Sequence, residues 1–208
     1  MNILAHRGAW DAPDEKNTVQ AIKKAFCSGW GVETDVRDYC GKLVISHDVA
    51  SSESPLFTDI LAEYKKSGAQ SFLAINIKSD GIQKLLGEAL AQHGISNYAV
   101  FDMSVPEQVV YRKMQIPFLT RQSEIEMHPV MYKEAAGVWM DEWEESWISE
   151  PVISEHLEKG KMVGIISPEI HGRNYEALWE DLRKINSDRL FLCTDVPEKA
   201  EEFFYGKN

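Results

Sequence analysis

Short apolar runs rich in β-branched residues recur along the chain, separated by stretches in which apolar residues return every three or four positions. The runs predict strands near 2–6, 31–36, 72–77, 98–102, 116–120, 137–140, 162–166 and 189–193, with helices between them. From Ile82 onward, Leu85, Leu86, Ala89 and Leu90 share one helical face, and Tyr175, Leu178, Trp179, Leu182 and Ile185 repeat the device. Both stripes are expected to be core. Repeated βα units imply a parallel sheet, and eight of them predict a compact (β/α)8 TIM barrel near the lower size limit of that fold. One further run, Lys42 to His47, follows residues 31–36 after the turn Asp38-Tyr39-Cys40-Gly41. It predicts an antiparallel hairpin strand at the barrel mouth, which carries His47 back towards that face. No linker, repeat or low-complexity tract divides the chain, so a single domain is expected over 1–208.

The charge narrows the partners. A formal net charge of −11 disfavours nucleic acid, whose binding draws its affinity from Lys and Arg neutralising phosphates. A small phosphorylated substrate needs only a local cluster of cations and remains compatible with an acidic surface. Cys27, Cys40 and Cys193 form an odd set without metal-ligand spacing, which fits reduced thiols. The start Met-Asn-Ile-Leu-Ala-His-Arg lacks the features of a secretory signal, and no run is long enough to span a bilayer, so a cytoplasmic location is expected.

Barrel chemistry collects at the C-terminal ends of strands. The first strand delivers His6, Arg7 and Gly8 there, and the second delivers Glu33 and Asp35, which alternation puts on one side. Two such carboxylates repel unless a cation lies between them, and a hard ion such as Mg²⁺ or Ca²⁺ suits their oxygens. The run Ala74-Ile75-Asn76-Ile77-Lys78 adds Asn76, whose carbonyl suits the same metal, and Lys78, which with Arg7 suits a phosphate. His47, beside Asp48, supplies a second imidazole. Two histidines beside a metal and two cations suit phosphodiester cleavage, in which one imidazole takes a proton from the nucleophile and the other gives one to the leaving oxygen.

The series His6-Arg7-Gly8, Asn17-Thr18, Glu33-Thr34-Asp35-Val36 and His47-Asp48 is similar in order and spacing to the H-R-G, E-N-T, E-x-D-V and H-D elements of the glycerophosphodiester phosphodiesterases. Asn76-Ile77-Lys78 matches the later E-I-K element in part, and Thr194-Asp195-Val196-Pro197 resembles the C-terminal T-D-x-P. The resemblance is specific over roughly the first 80 residues. It implies a barrel of the phospholipase C-like superfamily, acting in lipid metabolism, with a divalent metal on Glu33 and Asp35 and with His6 and His47 as the acid/base pair. Asn76 stands where the family carries a metal-binding glutamate and Lys16 where E-N-T begins, so the site is one carboxylate poorer. The stretch after His47 also lacks the family's usual inserted subdomain.

The expected activity is metal-dependent hydrolysis of a small phosphodiester. Two alternatives are a barrel that binds a phosphorylated ligand without turnover, and a phospholipase-like lyase that forms a cyclic phosphate. Asp141, Glu142, Trp143, Trp147, Glu169, His171 and Arg173 follow the later strands as candidate substrate contacts, with an acidic member in place of the missing carboxylate. Against these stand simpler expectations. Glu33 and Asp35 pair with Arg7 and Lys78 in a structural ion network; Asn76 satisfies backbone groups; Asp195 caps a helix; Trp139 is core. His93, His128 and His156 are surface or helix-end residues, and the run Glu142 to Glu145 is a solvated loop.

Overall fold

A computed structural model of the protein describes residues 1–206. The elements in chain order are β1 (Asn2–His6), α1 (Val19–Cys27), β2 (Gly31–Tyr39), β3 (Lys42–Ile45), α2 (Phe57–Ser67), β4 (Leu73–Ile77), α3 (Gln83–His93) and β5 (Tyr98–Phe101). They continue with α4 (Val105–Lys113), β6 (Leu119–Gln122), β7 (Gly137–Met140), α5 (Glu150–Glu158), β8 (Met162–Ile166), α6 (Glu176–Leu182), β9 (Leu190–Thr194) and α7 (Pro197–Tyr205). The strand order β5-β4-β2-β1-β9-β8-β7-β6 is parallel throughout, and β3 returns antiparallel against β2. The ring is almost closed. At the seam between β5 and β6 one bridge joins Val100 to Phe118, with the Val100 amide donating to the Pro117 carbonyl at 3.0 Å. This is a (β/α)8 TIM barrel with an added hairpin strand.

Alternation divides each strand between two cores. Leu4, Phe72, Ala74, Ala99, Phe101, Leu119, Trp139, Ile166, Phe191 and Cys193 fill the barrel interior, and the outward residues pack under the helices. Trp139 lies stacked on Phe101 with ring centroids 4.0 Å apart, an arrangement worth about 0.5–1.5 kcal/mol beyond its buried area. Its opposite face needs Gly164, because a Cβ there would lie 2.3 Å from the Trp139 ring. The hairpin turn uses Cys40 and Gly41, both with positive φ (48° and 75°), the conformation that matches the twist of the flanking strands.

Several expectations need correction. No helix separates β6 from β7; residues 123–136 form an irregular segment. The outward residues of β6 are the polar Thr120 and Gln122, which bond the carbonyls of Val130 and Met127 instead of presenting an apolar face to a helix. Strand β6 itself begins three residues later than predicted, since pairing with β7 starts at Leu119. On α3, Leu86 and Leu90 are buried but Leu85 is 43% exposed. His156 is buried rather than superficial, bridging the Tyr132 hydroxyl and the Gln122 amide oxygen at 2.8 Å each. Glu142 is likewise buried, where it accepts from the Trp147 and Ile148 amides and faces Arg173 at 3.5 Å. No helix among the described residues is long and apolar enough to cross a membrane.

Candidate active site

The C-terminal ends of the strands enclose a cavity of about 430 Å³ lined by His6, Arg7, Lys16, Glu33, His47, Asn76, Lys78, Asp102, Arg121, Asp141, Trp143 and His171, among others. The backbone after β1 sets its geometry. Arg7 and Gly8 take positive φ (59° and 93°), as does Asn17 (63°), whose amide donates to the Arg7 carbonyl at 2.8 Å. Gly8 is required twice over, by its φ and because a Cβ would meet the Ala21 backbone at 2.6 Å. Thr18 caps α1 by accepting from the Ala21 amide, which fixes the approach of that helix.

His6 is buried, with Nδ1 bonded to Asp195 Oδ1 at 2.5 Å and Nε2 3.8 Å from Glu33 Oε2. Burial lowers its pKa, and the bond and charge of Asp195 oppose that shift. For Asp195, burial acts to raise the pKa, but the His6 and Lys16 contacts outweigh it and hold the group below its ordinary value. Asp195 is therefore no helix cap: Val196 holds that position on α7, and the carboxylate instead fixes His6 and accepts from Lys16 Nζ at 3.1 Å. Lys16 also lies over the Trp10 ring, 4.3 Å from its centroid.

Glu33 and Asp35 both project inward from β2, and Asn76 is the register partner of Asp35 on β4. Asp35 is fully buried beside Arg7 Nε at 3.0 Å, Lys78 Nζ at 3.3 Å and the Asn17 amide at 2.8 Å. The Thr34 hydroxyl, on the opposite face of β2, orients that Asn17 amide. The structural ion network thus exists on Asp35, but among the described residues Glu33 has no Arg or Lys partner within salt-bridge reach. Burial, and then the Asp35 charge, raise its carboxyl well above the ordinary value. Among the described residues no three His, Cys, Asp or Glu side chains are grouped to hold a metal. Yet among the described residues Glu33 Oε2 and Asn76 Oδ1 are buried acceptors without a hydrogen-bond partner, while Asp35 Oδ1 faces only the Lys78 ammonium. These two unpartnered oxygens, with the Asp35 carboxylate between them on the adjacent strands, fit a hard divalent ion in a site of two carboxylates and one amide.

His47 lies on the exposed side of the cavity, with Nδ1 on Asp48 Oδ1 at 2.9 Å. Across from it Asp141 bonds His171 Nε2 at 2.8 Å, an interaction that raises the His171 pKa, and Trp143 stacks on the same imidazole at 5.1 Å. Glu169 stands apart from the cavity: its carboxylate accepts from Ser167, Thr194 and the Asp195 amide. Trp147 is likewise set back, donating to the Asp141 carbonyl at 2.7 Å. Arg173 bonds the Glu142 carbonyl and the Ser146 hydroxyl.

Three further residues of the cavity wall, Lys16, Asp102 and Arg121, have no counterpart in the motif reading as contacts. Asp102, whose pKa burial raises despite nearby Arg121, accepts from Asn76 Nδ2 at 3.0 Å. Arg121 reaches Asp102 at 3.6 Å and Glu126 at 2.7 Å. Its signal was available in the alternation Leu119, Arg121, which places the side chain on the interior face.

No protein-family model and no curated protein matches the sequence. Solved structures do resemble it. A glycerophosphodiester phosphodiesterase from Agrobacterium tumefaciens aligns over 98% of both chains with a TM-score of 0.69 and 16% identity. An Oleispira antarctica phosphodiesterase in complex with the product sn-glycerol-3-phosphate aligns over 98% of this chain and 96% of that one, with a TM-score of 0.73 and 18% identity. A Ca²⁺-dependent phosphatidylinositol-specific phospholipase C from Streptomyces antibioticus aligns over 99% and 98% with a TM-score of 0.55 and 10% identity. The chain therefore has the barrel fold of the glycerophosphodiester phosphodiesterases, matched along almost its whole length.

Proposed function

We propose that the protein hydrolyses a small phosphodiester of the glycerophosphodiester type at this cavity. The observation that carries the proposal is the convergence of His6, Arg7, His47 and Lys78 on one cavity, with His6 Nδ1 held by Asp195. With Nδ1–H donated to Asp195, the neutral imidazole presents Nε2 as a base. Burial keeps that neutral form populated near neutral pH. Arg7 and Lys78 bind the phosphate oxygens, and Asp35 holds both cations in place. His6 and His47 exchange the two protons of the reaction: one is taken from water as its oxygen bonds to phosphorus, and one is given to the alcohol whose phosphorus–oxygen bond breaks. Glu33, Asp35 and Asn76 would hold a divalent ion, Mg²⁺ or Ca²⁺, which when bound supplies charge that stabilises the phosphoryl oxygens. Trp143, Asp141 and His171 line the side on which an alcohol group would rest.

The likeness to an enzyme bound to sn-glycerol-3-phosphate supports a small substrate, and three cysteines free of disulfides support a cytoplasmic setting. The test is cleavage of bis(p-nitrophenyl) phosphate by the purified chain, with turnover expected to rise on adding Mg²⁺ or Ca²⁺. Absence of turnover with either ion would overturn the proposal. A second reading, binding of a phosphorylated ligand without turnover, draws on the pairing of Asp35 with two cations. Phosphate affinity retained with no divalent ion bound, measured by calorimetry, would favour it.

A further inference from the structure

A second hollow of about 680 Å³ adjoins the cavity, with Asp102, Arg121 and Glu126 lining both. It lies between the loop after β5 and the irregular segment after β6, where the barrel carries a segment without a helix. Met103, Val105, Ile125, Met127 and Val130 line it. Ile125 is 76% exposed and Met127 53%, an unusual investment of large apolar side chains beside a polar site. Of its polar groups, Thr120 bonds the Val130 carbonyl and Ser104 bonds Asp80, while Gln108 and His128 complete the lining and Asp102, Arg121 and Glu126 form its charged rim. The divide between the two spaces is the Arg121 side chain, 45% exposed and held to Glu126 at 2.7 Å.

We propose that this hollow seats a hydrocarbon chain of the substrate, so that the preferred phosphodiester carries an alkyl or acyl-bearing group on one ester, as a single-chain phospholipid does. The inference rests on the phosphodiester reading of the neighbouring cavity. Adjacency selects the occupant, because a chain attached to a phosphate beside Arg7 and Lys78 reaches this hollow past the shared wall of Asp102, Arg121 and Glu126. Flexible Met and branched Ile and Val suit a chain of variable length. Arg121 lines both spaces, its guanidinium held between Asp102 and Glu126, and its aliphatic stem is the part that a hydrocarbon can pack against.

The experiment compares p-nitrophenyl methyl phosphate with p-nitrophenyl octyl phosphate, both monomeric, on the full chain with a divalent ion. Each methylene fully seated contributes up to about fourfold, so kcat/KM is expected to favour the octyl ester by at least about tenfold. In Ile125→Ser/Met127→Ser that ratio is expected to fall close to one. A ratio near one in the unaltered protein, or a ratio unchanged in the double variant, would overturn the proposal. Equal ratios accompanied by sedimentation with phosphatidylcholine vesicles would reassign the apolar residues to membrane contact, and overturn it as well. If neither ester is cleaved, the phosphodiester reading fails, but calorimetry still decides on the hollow. Octyl phosphate bound at least about tenfold tighter than methyl phosphate, with the difference lost in the double variant, supports it; equal affinities overturn it.

Discussion

Glu33→Gln is expected to stabilise the metal-free protein and abolish its response to divalent ions. Glu33 is 2% exposed, its Oε2 has no hydrogen-bond partner among the described residues, and His6 Nε2 is 3.8 Å away. Because the folded carboxyl is raised above 4.5, folding favours its protonated form. That contribution is complete below the unfolded value and is lost as pH rises through the folded one. Near neutral pH, with a chelator present, the group opposes folding by an amount comparable to a buried unsatisfied polar group, about 1–3 kcal/mol. Glutamine keeps the shape without the charge. At about 2–4 °C per kcal/mol for a chain of this size, Tm should rise by roughly 2–12 °C. Divalent ion at about 100 times its Kd contributes about 2.7 kcal/mol, or roughly 5–11 °C, to the unaltered protein and nothing to the variant. Differential scanning calorimetry in chelator and then in Mg²⁺ or Ca²⁺ reads both effects. A lower Tm for the variant in chelator, or an equal ion-induced shift in both proteins, would refute the reasoning.

Other perturbations separate positioning from packing. Asp195→Asn removes the charge that orients His6 and opposes the burial effect on its pKa; kcat/KM should fall about 10- to 100-fold, with the acid limb of the pH–rate profile moved to lower pH. Gly8→Ala places a Cβ 2.6 Å from the Ala21 backbone at φ +93°; a loss of at least about 2 kcal/mol in urea unfolding is expected. His156 has its pKa lowered from 6.5 by burial, so its contribution is present above that value and lost as pH falls below it. Replacing it by Gln should reduce the acid-side slope of stability by up to about 1.4 kcal/mol per pH unit.

The strands were legible because apolar runs mark them, and because period-two alternation also marks which residues face inward. Glu33, Asp35 and Asn76 follow from that phase alone, and His47 from the hairpin turn. Asp195 follows from it too, as the next inward position after Phe191 and Cys193, but the adjoining Val-Pro suggested a cap, and the long-range bond to His6 has no local signature. Arg121 is readable from that alternation only once β6 is placed at Leu119, whereas a strand expected over 116–120 stops short of it. Ile116 and Phe118 extend the apolar run, yet the carbonyl of Pro117 only bridges to β5, and ladder pairing begins beyond it. The missing helix after β6 was equally obscure, since polar outward residues on one short strand are its only trace. Pairing of Arg7 and Lys78 on a single carboxylate depends on side-chain geometry that spacing does not encode.

The most direct test of the central claim is the rate of divalent-ion-stimulated bis(p-nitrophenyl) phosphate cleavage by His6→Ala and His47→Ala, each shown by circular dichroism to be folded. Loss of a general acid or base predicts that kcat/KM falls by about 10²–10⁴ in each. Rates unchanged in both variants would contradict the assignment of proton transfer to these two histidines.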